Sequence, residues 1–512
     1  MRKDNILIVA YILLLLVGIW YAFPNLKVVG DEAPFVGGVL RAIEDKTLIP
    51  NIDYSYTVSF YANYFLMFPF ILVLFIFFGG DTVLLTNFLM ENVYIAYFIP
   101  RLLSVISAVV ILAIFLKMMR EWGRSFFERF VVVSIVFGNI IFFTIAHTGK
   151  MWLLSLLLWF LSFYFFSRAI ENKVEKTNGM FRDPFFWSPV FAFLSFANFP
   201  VNIVALIFVL WLWIIALMNK LPKKSLLYGT ISGIVIFTIL FAVNYAGWTT
   251  QNSITPIGVR DFLGITKYFI YGGLTIMPLF VLYGIFCTEK RRYFSPVIGA
   301  LIISFFSYLV IIFLRASWVG SELGGYWRYF IYPVFFIGLI LAQWPSRRHL
   351  FAVFLGVISL LFVLRIDYLL AVPTTHNLAR EYIVSNVHKS LIVNIYPYLD
   401  LPKNTISYKI TADSFCQSRC LYGRGIASDD VGLFVIDAET NMVEFEKAIS
   451  EAKEYLLVKT VSDEKLYLEN AISNGLQSEQ LLDIDYNLGP YTIGLFVADR
   501  LGPSFFIYKS KR

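Results

Sequence analysis

Two adjacent carboxylates, Asp31 and Glu32, stand shortly after the first long apolar segment of the chain, in the stretch VVGDEAPFVGG. A carboxylate beside a membrane can orient or deprotonate a hydroxyl group, which is the general-base chemistry of group transfer. The same pair can instead be an N-cap and a first-turn acid for a helix over APFVGGVLRAIED, because the helix dipole favours negative charge there. The local sequence leaves both interpretations open.

Basic and hydrogen-bonding side chains recur in or beside other apolar segments. A charge near the bilayer centre costs about 2.5–3.5 kcal/mol on insertion scales, so such arginines usually face a cavity or an anion. With the acidic pair, these cations suit a substrate that carries a phosphate head group and a lipid tail. Simpler roles stay open, since Arg101 can extend to the membrane surface and His147 can be structural. The candidates are Arg101, His147, Lys150, Arg260, Arg315, Arg328 and Tyr329.

The composition predicts a membrane protein. Of 512 residues, 58% are hydrophobic and only 15% are charged, which leaves too little polar surface for a water-soluble protein. The predicted fold class is a polytopic all-α bundle of about 11 transmembrane helices plus juxtamembrane helices, followed by a soluble α/β domain. The predicted spans are 5–23, 95–116, 130–146, 151–168, 185–199, 201–219, 225–245, 266–287, 295–314, 327–344 and 350–372.

Positive charge alternates along the connections between these segments. KMMREWGRSFFER (117–129), RAIENKVEKTNGMFR (168–182), NKLPKK, EKRR and SRR are basic, whereas HTGK, NFPVN and the other intervening connections are poor in Lys and Arg. By the positive-inside rule, the first set is cytoplasmic and the second is external. We therefore expect a multi-pass protein of the cell (cytoplasmic) membrane with an uncleaved first span and a cytoplasmic N-terminus.

One apolar run does not fit this alternation. FYANYFLMFPFILVLFIFF (60–78) is long enough to span, but counting it as a span would place the basic connections outside. We interpret it as a re-entrant or juxtamembrane helix pair, bent near Pro69, within a long external loop over 24–94. Such backbone is tolerated at membrane depth only where it packs against protein.

The composition changes near residue 373. SLIVNI, TISYKI, GLFVID and EYLLVKT alternate like strands, and MVEFEKAISEAK has the period of an amphipathic helix. Residues 1–372 are thus a transmembrane domain, and 373–512 are an external soluble α/β domain. In an oxidising compartment Cys416 and Cys420 can form a disulfide across CQSRC, although two free thiols fit equally well.

The order of these features resembles a known superfamily. The acidic DE after the first span precedes FFGGDTVLLTNFLMENVYIAYFIPRLLS at the second span, and the aromatic-rich WRYFIYP opens a later one. Residues 1–372 resemble the GT-C glycosyltransferases, in the branch of protein O-mannosyltransferases, aminoarabinose transferases and RgtA/B/C/D-like proteins. The resemblance does not extend to the C-terminal domain.

The resemblance implies an integral-membrane hexosyl- or pentosyltransferase. It would move a sugar, with inversion, from a polyprenyl-phosphate donor to a lipid, glycan or protein acceptor on the external face. The resemblance makes Asp31 the catalytic carboxylate and Glu32 its support. Arg101, Arg315 and Arg328 would neutralise the departing phosphate, as cations aimed at developing charge do.

The chain departs from the family pattern at two places. AHTGK stands where many relatives carry an acidic residue, and DYSYTVSFY replaces a Lys-Pro-Pro feature. We expect no cofactor; a bound divalent metal stays open, but the first departure removes an oxygen ligand. His147 or Lys150 can act in that position instead.

The main alternative is a transporter or flippase of a lipid-linked or anionic substrate, and a binding protein is a third possibility. Transporters usually show paired repeats with broken helices, and the sequence shows no such repeat. Nucleic acid is not an expected partner, because the basic excess belongs to the membrane part and follows its topology.

Overall fold

The computed structural model describes most of the membrane part and the strands of the C-terminal part. The described residues are 2–24, 32–50, 52, 56–171, 180–219, 223–250, 278–288, 295–318, 328–344, 346, 348–386, 391–394, 406–409, 419–422, 431–437, 455–461, 500 and 505–510.

Helices dominate the described chain up to residue 386. They are α1 (Arg2–Leu16), α2 (Ala33–Glu44), α3 (Thr57–Phe77), α4 (Thr82–Glu91), α5 (Tyr94–Glu121), α6 (Phe126–Phe137), α7 (Ile140–Ala146), α8 (Trp152–Glu171), α9 (Pro184–Asn198), α10 (Leu206–Asn219), α11 (Lys223–Val243), α12 (Tyr245–Thr250), α13 (Pro278–Leu282), α14 (Pro296–Trp318), α15 (Ile331–Ala342), α16 (His349–Ala371) and α17 (Thr375–Asn386). Short 3₁₀ turns lie at Met180–Arg182 and Pro200–Ala205, and a π-helical turn lies at Tyr283–Cys287.

The helices confirm the polytopic bundle. Each predicted span overlaps a described helix, but among the described residues six helices, not 11, are long and apolar enough to cross a membrane on their own. One of the six is Thr57–Phe77, which was not predicted to span. The pair α6 and α7 adds a broken span bent by 70°, and three shorter apolar helices follow at Pro278–Cys287, Pro296–Ile312 and Arg328–Ala342. Large apolar side chains such as Phe77 and Leu217 face outward, which is stable only in lipid or against another apolar surface. The chain is a multi-pass membrane protein.

The basic 117–129 connection lies at one end of the bundle, which we call the basic end. Side chains of the 117–129 connection reach the N-terminal helix, the end of α8 and the end of α15, so these segments share one side. The contacts are Arg129 Nη2 to Asp4 Oδ1 (2.9 Å), Trp122 Nε1 to Glu171 Oε1 (3.2 Å), and Arg124 Nη2 to the Gln343 carbonyl (2.9 Å). This grouping is what the charge alternation predicts for one membrane face.

Helix α3 corrects the prediction for 60–78. It is one continuous helix of 21 residues through Pro69, not a pair of helices. Proline removes a single backbone donor, and a long apolar helix retains its other hydrogen bonds where water is scarce. Only the first half of α3 is buried, at Thr57, Ser59, Phe60, Asn63 and Met67.

The chain divides into two compact units. The first comprises Met1–Leu16, Pro34–Leu364 and Leu488–Pro490, and the second comprises Val17–Ala33, Arg365–Asn487 and Tyr491–Arg512. The boundary predicted at 372/373 stays a prediction.

The second unit holds a mixed six-stranded sheet with the order β3-β2-β1-β4-β6-β5. Strand β1 is parallel to β2 and β4, β2 is parallel to β3, and β6 is antiparallel to β4 and β5. The four predicted strands are present, whereas β3 and β6 were not predicted. The strands are β1 (Leu391–Asn394), β2 (Ile406–Lys409), β3 (Arg419–Tyr422), β4 (Val431–Asp437), β5 (Tyr455–Val461) and β6 (Phe505–Ser510).

Candidate functional site

Arg101 lies against the turn that carries His147 and Lys150. The turn comes within contact of α5 because Gly149 has no side chain: a Cβ there would lie 2.7 Å from Pro100 Cβ and 3.2 Å from the Arg101 amide nitrogen. One turn further along α5, the Ser104 hydroxyl donates to the Lys150 carbonyl at 3.4 Å. Arg101 is 1% exposed and Lys150 is 3% exposed. Two cationic residues are therefore buried together at this end of the first unit.

The turn is held by hydrogen bonds that end α7. The His147 amide donates to the Thr144 carbonyl at 3.0 Å, and the Thr148 hydroxyl donates to the Ile145 carbonyl at 2.9 Å. His147 Nδ1 lies 2.8 Å from the Phe143 carbonyl. A carbonyl oxygen can only accept, so Nδ1 carries the proton and Nε2 of the neutral ring is an acceptor.

Arg328 lies on an aromatic cluster at the same end. Its guanidinium carbon is 5.6 Å from the Trp152 ring centroid, a cation–π distance. Trp152, the first residue of α8, makes edge contacts with Phe199 at 5.0 Å and Tyr329 at 4.9 Å. Trp152 and Phe199 are buried, whereas Arg328 and Tyr329 are half-buried. The more accessible Arg328 thus lies over a buried ring of this cluster.

Ring contacts continue from this cluster to α2. Phe199 lies 6.1 Å from Tyr56, and Tyr56 lies 5.9 Å from Phe35 in the first turn of α2. Helix α2 directly follows the Asp31-Glu32 pair in the chain. The aromatic chain therefore links the start of α2 to the residues that hold Arg328.

A buried cluster of amide and hydroxyl groups adjoins Phe199 of the aromatic cluster. Asn198 Oδ1 accepts from the Ser59 amide at 2.7 Å, and Asn198 Nδ2 donates to Ser155 Oγ at 2.6 Å. Asn202 Nδ2 donates to Ser195 Oγ at 2.7 Å and to the Ser155 carbonyl at 3.2 Å. These bonds join α3, α8, α9 and the 3₁₀ turn after α9.

The structure brings five of the predicted site residues to one end of the first unit, which we call the site end: Arg101, His147, Lys150, Arg328 and Tyr329. Glu32 is fully buried immediately before α2. Asp31, Arg260 and Cys416 lie outside the described residues, as does the Arg315 side chain, although Arg315 belongs to α14. Cys420 lies on β3.

Sequence reasoning did not single out Trp152, Asn198, Phe199 or Asn202. Asn198, Phe199 and Asn202 belong to NFPVN, which the charge alternation identified only as a connection poor in Lys and Arg. Two asparagines four residues apart between apolar segments could have drawn attention, since polar side chains at membrane depth are usually buried for a reason. Among the described residues, no three His, Cys, Asp or Glu side chains group closely enough to hold a metal ion.

Fold and site together define a multi-pass membrane protein with cationic residues buried at one end of its bundle. No family model matches the chain, and no curated protein matches it. Among solved structures, it is similar to ArnT from Cupriavidus metallidurans bound to undecaprenyl phosphate, with 14% identity and a TM-score of 0.40. The match covers 66% of this chain and 59% of the ArnT chain, which is less than two thirds of that protein.

Proposed function

We propose that this protein is a membrane glycosyltransferase that moves a sugar from a polyprenyl-phosphate donor to an acceptor. The observation that carries the proposal is the joint burial of Arg101 and Lys150 around the Gly149 contact. A phosphate head group is the anion that such a pair suits best in a chain embedded in lipid, because its prenyl tail stays in the bilayer.

The same charges serve the reaction. When the sugar leaves its carrier, negative charge develops on the phosphate. Cations held in place beside the phosphate stabilise this charge and so lower the activation barrier. Arg328, 5.6 Å from the Trp152 ring centroid, supplies another cation at the site end. The remaining donor contact proposed from the sequence is Arg315.

The acceptor side of the proposal rests on the sequence. Asp31 would orient or deprotonate the acceptor hydroxyl, with Glu32 in support, and attack on the face opposite the phosphate would invert the sugar. General-base assistance of this kind contributes about 10²–10⁴-fold in rate. The site end would face away from the cytoplasm, as the distribution of basic connections indicates.

Native mass spectrometry of the full chain in mild detergent tests the proposal. Wild type is compared with Arg101→Gln, Asp31→Asn and a control, Lys117→Gln. Lys117 lies on the same helix as Arg101 but bonds Tyr164 at the basic end, 2.8 Å away. We expect wild type and the Lys117 variant to retain an added polyprenyl phosphate, and the Arg101 variant to bind it at least about tenfold more weakly.

The Asp31 variant separates transfer from transport. A transferase that lacks its base should accumulate the intact lipid-linked sugar, whereas wild type should carry bare carrier lipid or none. Equal intact lipid-linked sugar on both proteins would remove Asp31 from the chemistry. Absence of any prenyl lipid on every variant would contradict the donor assignment and favour the transporter.

A further inference from the structure

Helix α3 begins without a capping side chain of its own. Its N-cap residue is Tyr56, whose side chain accepts no hydrogen bond from the first turn. The first amides of a helix have no partner within the helix, so a buried start needs an acceptor from elsewhere. Ser59, in that first turn, donates its amide hydrogen to Asn198 Oδ1 at 2.7 Å. Asn198, the last residue of α9, therefore caps α3 from another helix.

The other end of the Asn198 amide is also engaged. Its Nδ2 donates to Ser155 Oγ on α8 at 2.6 Å, and all three residues are at most 1% exposed. Asn198 thus joins α3, α8 and α9 through one planar group with fixed donor and acceptor positions. An amide buried in this way is rigid, because losing either bond would leave a polar group unpaired in apolar surroundings.

The residues adjacent to this bridge carry the aromatic contacts of the site. Tyr56 precedes the capped helix and contacts Phe35 of α2, whereas Phe199 follows Asn198 and contacts Trp152 beneath Arg328. Tyr56 and Phe199 in turn contact each other at 6.1 Å. The distance from the first turn of α2 to Arg328 therefore depends on how α3 and the end of α9 are held together.

We propose that Asn198 is a positioning residue that sets the spacing between the start of α2 and Arg328, and that Ser155 holds the Asn198 amide in its working orientation. This inference rests on the proposed function, in which α2 follows the catalytic carboxylate and Arg328 binds the donor phosphate. An error of about 1 Å in such spacing can reduce catalysis by as much as 10²-fold, so the bridge acts on the reaction without touching substrate.

The chain contains a matched control for Ser155. Ser162 lies two turns later on α8, and its hydroxyl donates to the Ser188 carbonyl of α9 at 2.9 Å. The Ser188 hydroxyl donates in turn to the Ser162 carbonyl at 3.0 Å. Both serines are fully buried and both bond the same neighbouring helix. Ser155→Ala and Ser162→Ala therefore remove similar bonds from the same interface, but only the first touches the Asn198 bridge.

The experiment combines hydrogen–deuterium exchange with binding of farnesyl phosphate, a short polyprenyl phosphate, on the full chain in lipid nanodiscs. We expect Ser155→Ala to raise amide exchange at 57–61, 33–37 and 328–332 by about tenfold, because local opening becomes easier. Binding should weaken by about tenfold as the cation shifts. Ser162→Ala should change neither, and Asn198→Leu should exceed Ser155→Ala in both.

The outcomes distinguish a failure of the Asn198 positioning role from a failure of the proposed function. Equal exchange in the two serine variants would overturn the positioning role, since both would then be ordinary packing residues. If wild type fails to bind farnesyl phosphate while Ser155→Ala still raises exchange in all three segments, the coupling stands and the donor assignment fails. If Asn198→Leu does not fold, the comparison of the two serine variants decides alone.

Discussion

At the scale of the residue, Arg328 lies over the ring of Trp152, and we expect this contact to help orient it. The 5.6 Å contact is a cation–π interaction of about 0.5–2 kcal/mol, depending on desolvation. Trp152→Leu should therefore weaken polyprenyl phosphate binding by about 2–30-fold, whereas Trp152→Phe keeps an aromatic face and should lose less. Binding titrations by native mass spectrometry measure this order. A Phe variant as weak as the Leu variant would show that the ring face does not orient Arg328.

Gly149 offers a second test at this scale. An alanine methyl there would lie 2.7 Å from Pro100 Cβ and 2.9 Å from its Cγ, so the turn must move away from Arg101. We expect Gly149→Ala to lose about 1–3 kcal/mol of stability, the usual cost of overpacking. Gly37→Ala, where nothing lies within 4 Å of the added methyl, is the control. Thermal unfolding in detergent compares the two, and equal midpoints would contradict the close contact.

Part of the site was predictable from residue types. Charged side chains at the ends of apolar segments are costly unless used, and this reasoning identified Arg101, Lys150 and Arg328. Asn198 was not predictable in this way. A single amide among apolar residues carries no periodic signal, and its meaning lies in partners on α3 and α8 that are distant in sequence.

At the scale of the element, the start of α1 is fixed by a buried ion pair. Asp4 Oδ1 accepts from Arg129 Nη2 at 2.9 Å and from Arg129 Nε at 3.0 Å. The exposed Arg120 also approaches Asp4, but only to 3.9 Å. Arg129→Gln should cost about 1.5–3 kcal/mol, as hydrogen bonds to charged groups do, whereas Arg120→Gln should cost about 0–1 kcal/mol.

Thermal unfolding of both arginine variants in the same detergent measures this difference. Asp4→Asn should resemble Arg129→Gln, since it removes the charge from the other side of the same pair. Equal stabilities of the Arg120 and Arg129 variants would show that burial and the two short hydrogen bonds to Asp4 Oδ1 add nothing to this contact.

The presence of the helices was predicted correctly, because it follows from composition. The positions of helix breaks were predicted wrongly, because they depend on local geometry. Long apolar segments become helices because every backbone group must be paired within lipid, and each predicted span contains one. The division into two helices expected at Pro69 is absent, because the loss of one hydrogen bond does not require a break. The break between α6 and α7 was not predicted; it follows Gly138, where a Cβ would lie 2.8 Å from Ser359 Oγ.

At the scale of the whole molecule, the end of the bundle at which each segment lies indicates how often the chain crosses the bilayer between them. Thr57 starts α3 at the site end, where its hydroxyl accepts from Asn244 Nδ2 at 3.1 Å and Ser59 meets Asn198. Pro100 and Arg101 also lie at the site end, against Gly149. If the two ends lie at the two membrane faces, we expect the chain from 57 to 101 to cross the bilayer an even number of times.

Only α3 in that stretch is long enough to cross. Helix α4 has 10 residues, about 15 Å of helix, against a hydrocarbon core of about 30 Å. A crossing by α3 would need a return that α4 cannot make. We therefore expect α3 to remain in the leaflet at the site end, with its exposed second half in lipid.

Single cysteines in a background without the native cysteines test this, with a membrane-impermeant maleimide applied to intact cells. Thr82→Cys, just after α3, should be labelled like Lys46→Cys of the α2–α3 connection and unlike Glu121→Cys at the basic end. Labelling of Thr82→Cys together with Glu121→Cys would mean that α3 crosses. The return would then have to pass through 78–93, and the division of the bundle into a basic end and a site end would no longer correspond to the two faces of the membrane.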